Sequence, residues 1–135
     1  MLAFIIAVIV SLEADFIQIK NSALMSDPQV STGHMVYRAS DYLKWEYQTP
    51  QPIVWEIDGD KSNVNPQIQK MLRMIMSSIA GGNTDDPQLQ KESKKLFRSV
   101  TVTMDESNEV AQRVELIEKN GDSTTIVFEH VKVNK

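Results

Sequence analysis

Two histidines, His34 and His130, are the only imidazoles in the chain, and there is no cysteine. Each histidine sits alone in an alternating, strand-like stretch without carboxylates at ligand spacing around it, which reads as a surface or rim histidine rather than a metal ligand. The absence of cysteine removes disulfides, thiolate zinc sites, iron–sulfur clusters and cysteine nucleophiles together. It leaves the compartment open. Asp58-Gly59-Asp60-Lys61-Ser62 places oxygens at the first, third and fifth positions of a calcium loop. The loop then fails: Asn63 stands where the sharp turn needs glycine, and Gln69 where a bidentate glutamate closes the site. Gly81-Gly82-Asn83 has no Lys-Ser/Thr behind it and opens no helix, so it is not a phosphate loop. Glu46 and Glu56 fall on neighbouring extended segments, where a solvated face accounts for them better than an acid–base pair. No nucleophile is set beside a base, so the chain reads as non-enzymatic and without a cofactor.

What the sequence does concentrate is a kind of apolar residue. Seven methionines occur, and Met71, Met74 and Met76 crowd one segment. Trp45, Tyr47 and Trp55 lie on two consecutive alternating stretches. Methionine is flexible and polarizable and suits surfaces that accommodate varied apolar partners. A sheet lined by these aromatics and covered by a methionine-rich helix makes either an ordinary core or a deformable apolar pocket.

The elements that position these residues follow from periodicity. Residues 14–20, 30–38, 42–49 and 53–57 read as amphipathic strands. Leu43, Trp45 and Tyr47 share one face of their strand, and Ile53, Trp55 and Ile57 one face of the next. Gly33, inside the second strand, marks a bulge or a close approach. Asn65-Pro66 is a helix start, with asparagine as cap and proline in the first turn. Ile68, Met71, Leu72, Ile75 and Ile79 then form one helical stripe ending at Gly81-Gly82. A second helix is expected from Asp86-Pro87 to about Phe97, then a strand over 98–104. A hairpin is expected from strands 111–119 and 123–134 flanking Asn120-Gly121, a two-residue turn signal. Its second strand alternates as Thr125, Val127, Glu129, Val131 and Val133. The expected fold is α+β: an antiparallel curved sheet with helices segregated to one side.

At 135 residues, with 41% apolar and 24% charged content, the chain fits a single domain, 1–135, able to bury its own core. The net charge of −4 resides in the first half, and no stretch is strongly basic, so nucleic acid is not an expected partner. Residues 1–10, MLAFIIAVIV, are uninterruptedly apolar but too short for a spanning helix, which needs about 20 residues. They read as a first helix packed on the sheet or as an export-signal remnant. A membrane-surface anchor is disfavoured, because the run has no polar face.

Three patches carry a family resemblance: Leu12–Gln18 (LEADFIQ), Gly33–Pro50 (GHMVYRASDYLKWEYQTP) and Val114–Val133 (VELIEKNGDSTTIVFEHVKV). With the methionine-rich helix between them, they resemble the LolA family of periplasmic lipoprotein carriers, in the form found in Bacteroidetes, over about two thirds of the chain. The resemblance implies an incomplete, half-open antiparallel β-barrel with helices as a lid over an apolar cavity. It implies a monomer that receives lipoprotein acyl chains from an inner-membrane ABC exporter and delivers them to an outer-membrane acceptor, without covalent chemistry. On that reading the cavity is lined by Phe16, Leu43, Trp45, Tyr47, Trp55, Met71, Leu72, Ile75 and Ile79. Arg38 is the candidate lid contact. The chain departs from the family at two points. The family's Arg-Pro turn falls here at Ala39-Ser40, with Arg38 one residue early, and a one-residue offset reverses the face of a strand. The chain is also shorter, which implies a smaller barrel or an incomplete version of the gene product. A carrier or sensor of another lipid, and a protein-interaction module with a dry, filled groove, remain as alternatives.

Overall fold

The computed structural model describes residues 10–39, 42–79, 91, 94–106 and 110–134, with the backbone alone over 76–79. Five strands come first: β1 (Ser11–Asn21), β2 (Gln29–Arg38), β3 (Tyr42–Thr49), β4 (Ile53–Asp58) and the short β5 (Lys61–Ser62). A helix, α1 (Pro66–Ile79), separates them from β6 (Phe97–Met104), β7 (Ala111–Glu118) and β8 (Ser123–Asn134). All pair antiparallel in one eight-stranded sheet of order β5-β4-β3-β2-β1-β8-β7-β6. The sheet does not close: β5 and β6 are its edges.

This order explains where the helix lies. The chain leaves the sheet at one edge, β5, and re-enters at the opposite edge, β6. A flat eight-stranded sheet is about 34 Å across at about 4.8 Å per strand gap. The segment between those edges carries α1 over one face of the sheet. The 14 residues of α1 supply roughly 21 Å of that crossing, and α1 packs against β7. The helix starts where the sequence places it. Asn65 Oδ1 accepts from the Ile68 amide at 2.9 Å, an N-cap ahead of Pro66.

The helix-bearing face is continuous across the register. Trp55, Trp45, Met35 and Ala14 form one row, and Ile53, Tyr47, Gly33, Phe16 and Phe128 the next. Leu12, Phe16, Met35, Leu43, Trp45, Ile57, Leu72, Ile75, Val114, Leu116 and Ile126 are fully buried there. Gly33 is both things its position suggested. The β2–β3 register shifts between Thr32 and Gly33. A Cβ at Gly33 would also collide with the Phe16 ring and the Glu46 carbonyl. The missing side chain lets Phe16 lie flat on Trp45, with ring centroids 4.1 Å apart.

Several expectations are corrected. The alternation in β8 is out of phase with Thr125, Val127 and Glu129: the inward residues are Thr124, Ile126 and Phe128. A bulge at His130–Val131, two residues against Ala14, then turns Val131 and Val133 inward. His130 carries the left-handed backbone, φ 53°, that the bulge demands. The hairpin loop has three residues rather than two. The Glu118 amide donates to Asp122 O at 2.8 Å, and within the loop only Gly121 has positive φ. Phe97 begins β6 instead of ending a helix; residues 91 and 94–96 are helical, and the rest of the expected second helix lies outside the described residues. Residues 61–62, the end of the failed calcium loop, form β5, stitched further to β4 by Asn63, whose side chain bonds Glu56 N and Val54 O. Of the apolar N-terminal run only Val10 is described. It is not helical but extends the β1 ladder, its amide on Asn134 O and its carbonyl receiving Ala39 N. Among the described residues, no helix is long and apolar enough to cross a membrane.

Candidate apolar ligand site

Beneath α1 the sheet's inner face leaves a cavity of about 170 Å³. Its floor is Trp45, Tyr47 and Trp55 with Leu116 and Ile126; its roof is Met71, Leu72 and Ile75. The aromatic floor is braced edge to face, Tyr47 against Trp55 at 5.3 Å and against Phe16 at 5.5 Å. Six of the nine residues expected to line a cavity are therefore brought together. Phe16 and Leu43 lie on the same face but are packed into the core below, at 1% and 0% exposure, and line neither this cavity nor the one beside it. The Ile79 side chain lies outside the described residues.

The covered cavity continues outward. Gln18, Tyr47 and Trp55 also line a more open cavity of about 360 Å³, which adds Gln29, Ser31, Thr49 and Gln51. Tyr47 stands at the junction and donates to Gln18 Oε1 at 2.8 Å. Burial pushes its phenol above the ordinary value, against the opposing pull of the Trp45 indole N–H and Gln18. The indole N–H does this without reaching hydrogen-bond geometry and is left buried with no partner. Further along α1, Ile68 and Met71 border a crevice of about 150 Å³ against Leu96 and Phe97, and Met71 and Glu118 line both spaces. The helix thus borders two adjoining spaces.

Two charged side chains, Lys20 and Glu118, line the covered cavity, and their signs are opposite. Neither stood out in the sequence, because the β1–β8–β7 pairing that brings them together joins distant segments. Arg38 is not the contact that holds the helix. It is exposed on the opposite face, its guanidinium 4.1 Å above the Tyr42 ring, as the one-residue offset requires. The arginine joined to α1 is its own: Arg73 Nη2 donates to Gly59 O at 2.8 Å, tying the helix to the β4–β5 turn. No motif marks it, because the acceptor is a backbone carbonyl exposed by the positive φ of Gly59.

The two histidines meet on the sheet's outer face. His34 Nδ1 lies 2.8 Å and His130 Nδ1 3.0 Å from the two oxygens of Asp15. These bonds, His34 first, hold the Asp15 carboxyl below its ordinary value. Glu13 lies between His34 and Lys132. Among the described residues no group of three or more histidine, aspartate or glutamate side chains is arranged to hold a metal ion. No known family model matches this chain, and no curated protein matches it.

Proposed function

We propose that the chain is a non-enzymatic carrier of acyl chains, received between α1 and the aromatic face of the sheet. The observation that carries this reading is the cavity itself: an aromatic floor and an aliphatic roof on a single helix, with a second space beside it along the same helix. At about 170 Å³ the covered part falls below the roughly 300–1,000 Å³ of ordinary ligand sites. An acyl chain therefore enters by displacing α1, so the helix acts as a lid and the resting state is closed. Uncovering Leu72, Met74 and Ile75, all buried, costs about 5–9 kcal/mol at roughly 1.5–3 kcal/mol per side chain. A bound chain offsets that at about 0.8 kcal/mol per methylene. Chains of fewer than about six to eleven methylenes should not open the lid, and longer ones should bind with affinity that climbs with length.

The finer assignment rests on the LolA resemblance: a half-open barrel-like carrier, a periplasmic monomer, its cargo the acyl chains of lipoproteins. An inner-membrane ABC exporter would be the donor and an outer-membrane protein the acceptor. An open antiparallel sheet with one helix across its inner face supports that assignment. Reversible transfer also needs binding without ionic or covalent anchoring, and a cavity whose two charges oppose each other supplies it. The test is the affinity for saturated acyl chains of increasing length at low and high salt. The carrier reading expects a length threshold and little salt dependence. Affinity independent of length, or lost steeply with salt, contradicts it.

A further inference from the structure

Tyr47, Gln18 and Trp55 line both the covered cavity and the open one, so the two adjoin across a junction whose polar groups are the Tyr47 hydroxyl and the Gln18 amide. Three observations describe what that junction offers. The Trp45 indole N–H is buried and has no hydrogen-bond partner, on a residue 1% exposed that lines the covered cavity. The Tyr47 hydroxyl next to it is already committed as a donor to Gln18, which leaves the Gln18 amide N–H₂ to donate to a ligand and the phenol oxygen only to accept from one. The outer cavity is lined by amides and hydroxyls (Gln29, Gln51, Ser31, Thr49) and by no carboxylate, ammonium or guanidinium. A buried donor without a partner costs free energy that an entering acceptor recovers. An entering charge, in contrast, finds no counter-ion in the outer cavity, and in the covered one only the opposed pair Lys20 and Glu118.

We infer that this junction is a subsite for an uncharged carbonyl link, the ester or amide that joins an acyl chain to its carrier molecule. The chain lies under α1, the link lies against Trp45, Tyr47 and Gln18, and the neutral polar remainder occupies the outer cavity. The inference rests on the acyl-carrier reading and adds the chemistry of the group at the mouth. An acylated peptide presents an amide there, and a glycerol ester presents an ester.

The experiment compares ligands of one chain length on the full chain: dodecane, dodecanoate, monododecanoylglycerol, and an N-dodecanoyl dipeptide amide. Both neutral carbonyl ligands should bind about tenfold more tightly than dodecane, as expected when a buried unpaired donor gains an acceptor, and more tightly than dodecanoate, whose charge meets no counter-ion in the outer cavity. Gln18→Leu, which removes the amide donor, and Tyr47→Phe, which releases Gln18 from its bond, should each reduce that preference over dodecane about five- to tenfold. The peptide amide outbinding the glycerol ester would assign the source as an acylated peptide, and the reverse a glycerolipid. Gln18 is half-buried, so its variant reads the junction even where Tyr47→Phe perturbs the aromatic packing. Dodecanoate binding as tightly as the neutral ligands overturns the inference, most clearly where Lys20→Gln abolishes its binding. Equal affinity for all four ligands also overturns it and leaves the acyl-carrier reading intact. No binding of any of the four, nor of their counterparts with an eighteen-carbon chain, overturns both.

Discussion

Replacing Gly33 with alanine tests whether the aromatic floor is built the way its geometry says. The added Cβ would meet the Phe16 ring from one side and the Glu46 backbone carbonyl from the other. The carbonyl belongs to the β2–β3 ladder and cannot retreat, so the ring must, and it leaves the 4.1 Å stack on Trp45. Overpacking of this kind costs about 1–3 kcal/mol, and the lost stack about 0.5–1.5 kcal/mol. Against these stands a gain of about 0.4–1 kcal/mol from a less flexible unfolded chain. The net expectation is a destabilisation of about 1–3 kcal/mol, read from the shift in urea midpoint at constant slope. Phe16→Leu should relieve part of the clash, so Gly33→Ala should cost less in that background than in the wild type. Gly33→Ala that is neutral or stabilising, or costs that simply add in the double variant, would refute the proposed dependence of the stack on the missing side chain.

Three other outcomes follow from the site. Arg73→Ala removes the bond to Gly59 O; at about 1.5 kcal/mol for a charge-assisted bond it should lower the urea midpoint and, by loosening the lid, tighten acyl-chain binding about tenfold, whereas weaker binding would show that α1 does not move. Leu72→Asp puts an unpaired carboxylate at a position 1% exposed in the cavity roof; stability should fall by several kcal/mol and the folded fraction should lose a fluorescent fatty acid, whose undiminished binding would contradict the roof assignment. Asp15, depressed below 3.8 by its bonds to His34 and then His130, contributes stability that is present above pH 3.8 and lost as pH falls through its folded value; Asp15→Asn should flatten that acid limb in pH-dependent unfolding, and an unchanged limb would place the effect elsewhere.

The parts legible in the sequence were those fixed by neighbours along the chain. The alternation of Leu43-Trp45-Tyr47 and of Ile53-Trp55-Ile57, and the Asn65-Pro66 helix start, are local signals and reappear in the structure. β8 misled because its polar–apolar alternation is regular to the eye while a bulge at His130 changes its phase, and a bulge is set by the facing strand. Phe97 reads as the last apolar residue of a helix until pairing with Glu118 captures it into β6. Asn-Gly signals a tight turn, but which residues bond across it is decided by the strands, and here Glu118 and Asp122 do so. The histidines met at Asp15 only through the β1–β8 pairing, across 115 positions of sequence. The Arg73 latch was invisible for a simpler reason: a carbonyl oxygen carries no residue type.

The chain's two tryptophans, Trp45 and Trp55, both line the covered cavity and so supply a reporter without any label. The most direct test of the central claim is tryptophan fluorescence during titration with a triacylated lipopeptide and with the same peptide after deacylation. Acyl chains entering between α1 and the aromatic floor should shift and saturate the emission with the lipopeptide alone. An emission that does not respond, or that responds equally to the deacylated peptide, would contradict the account.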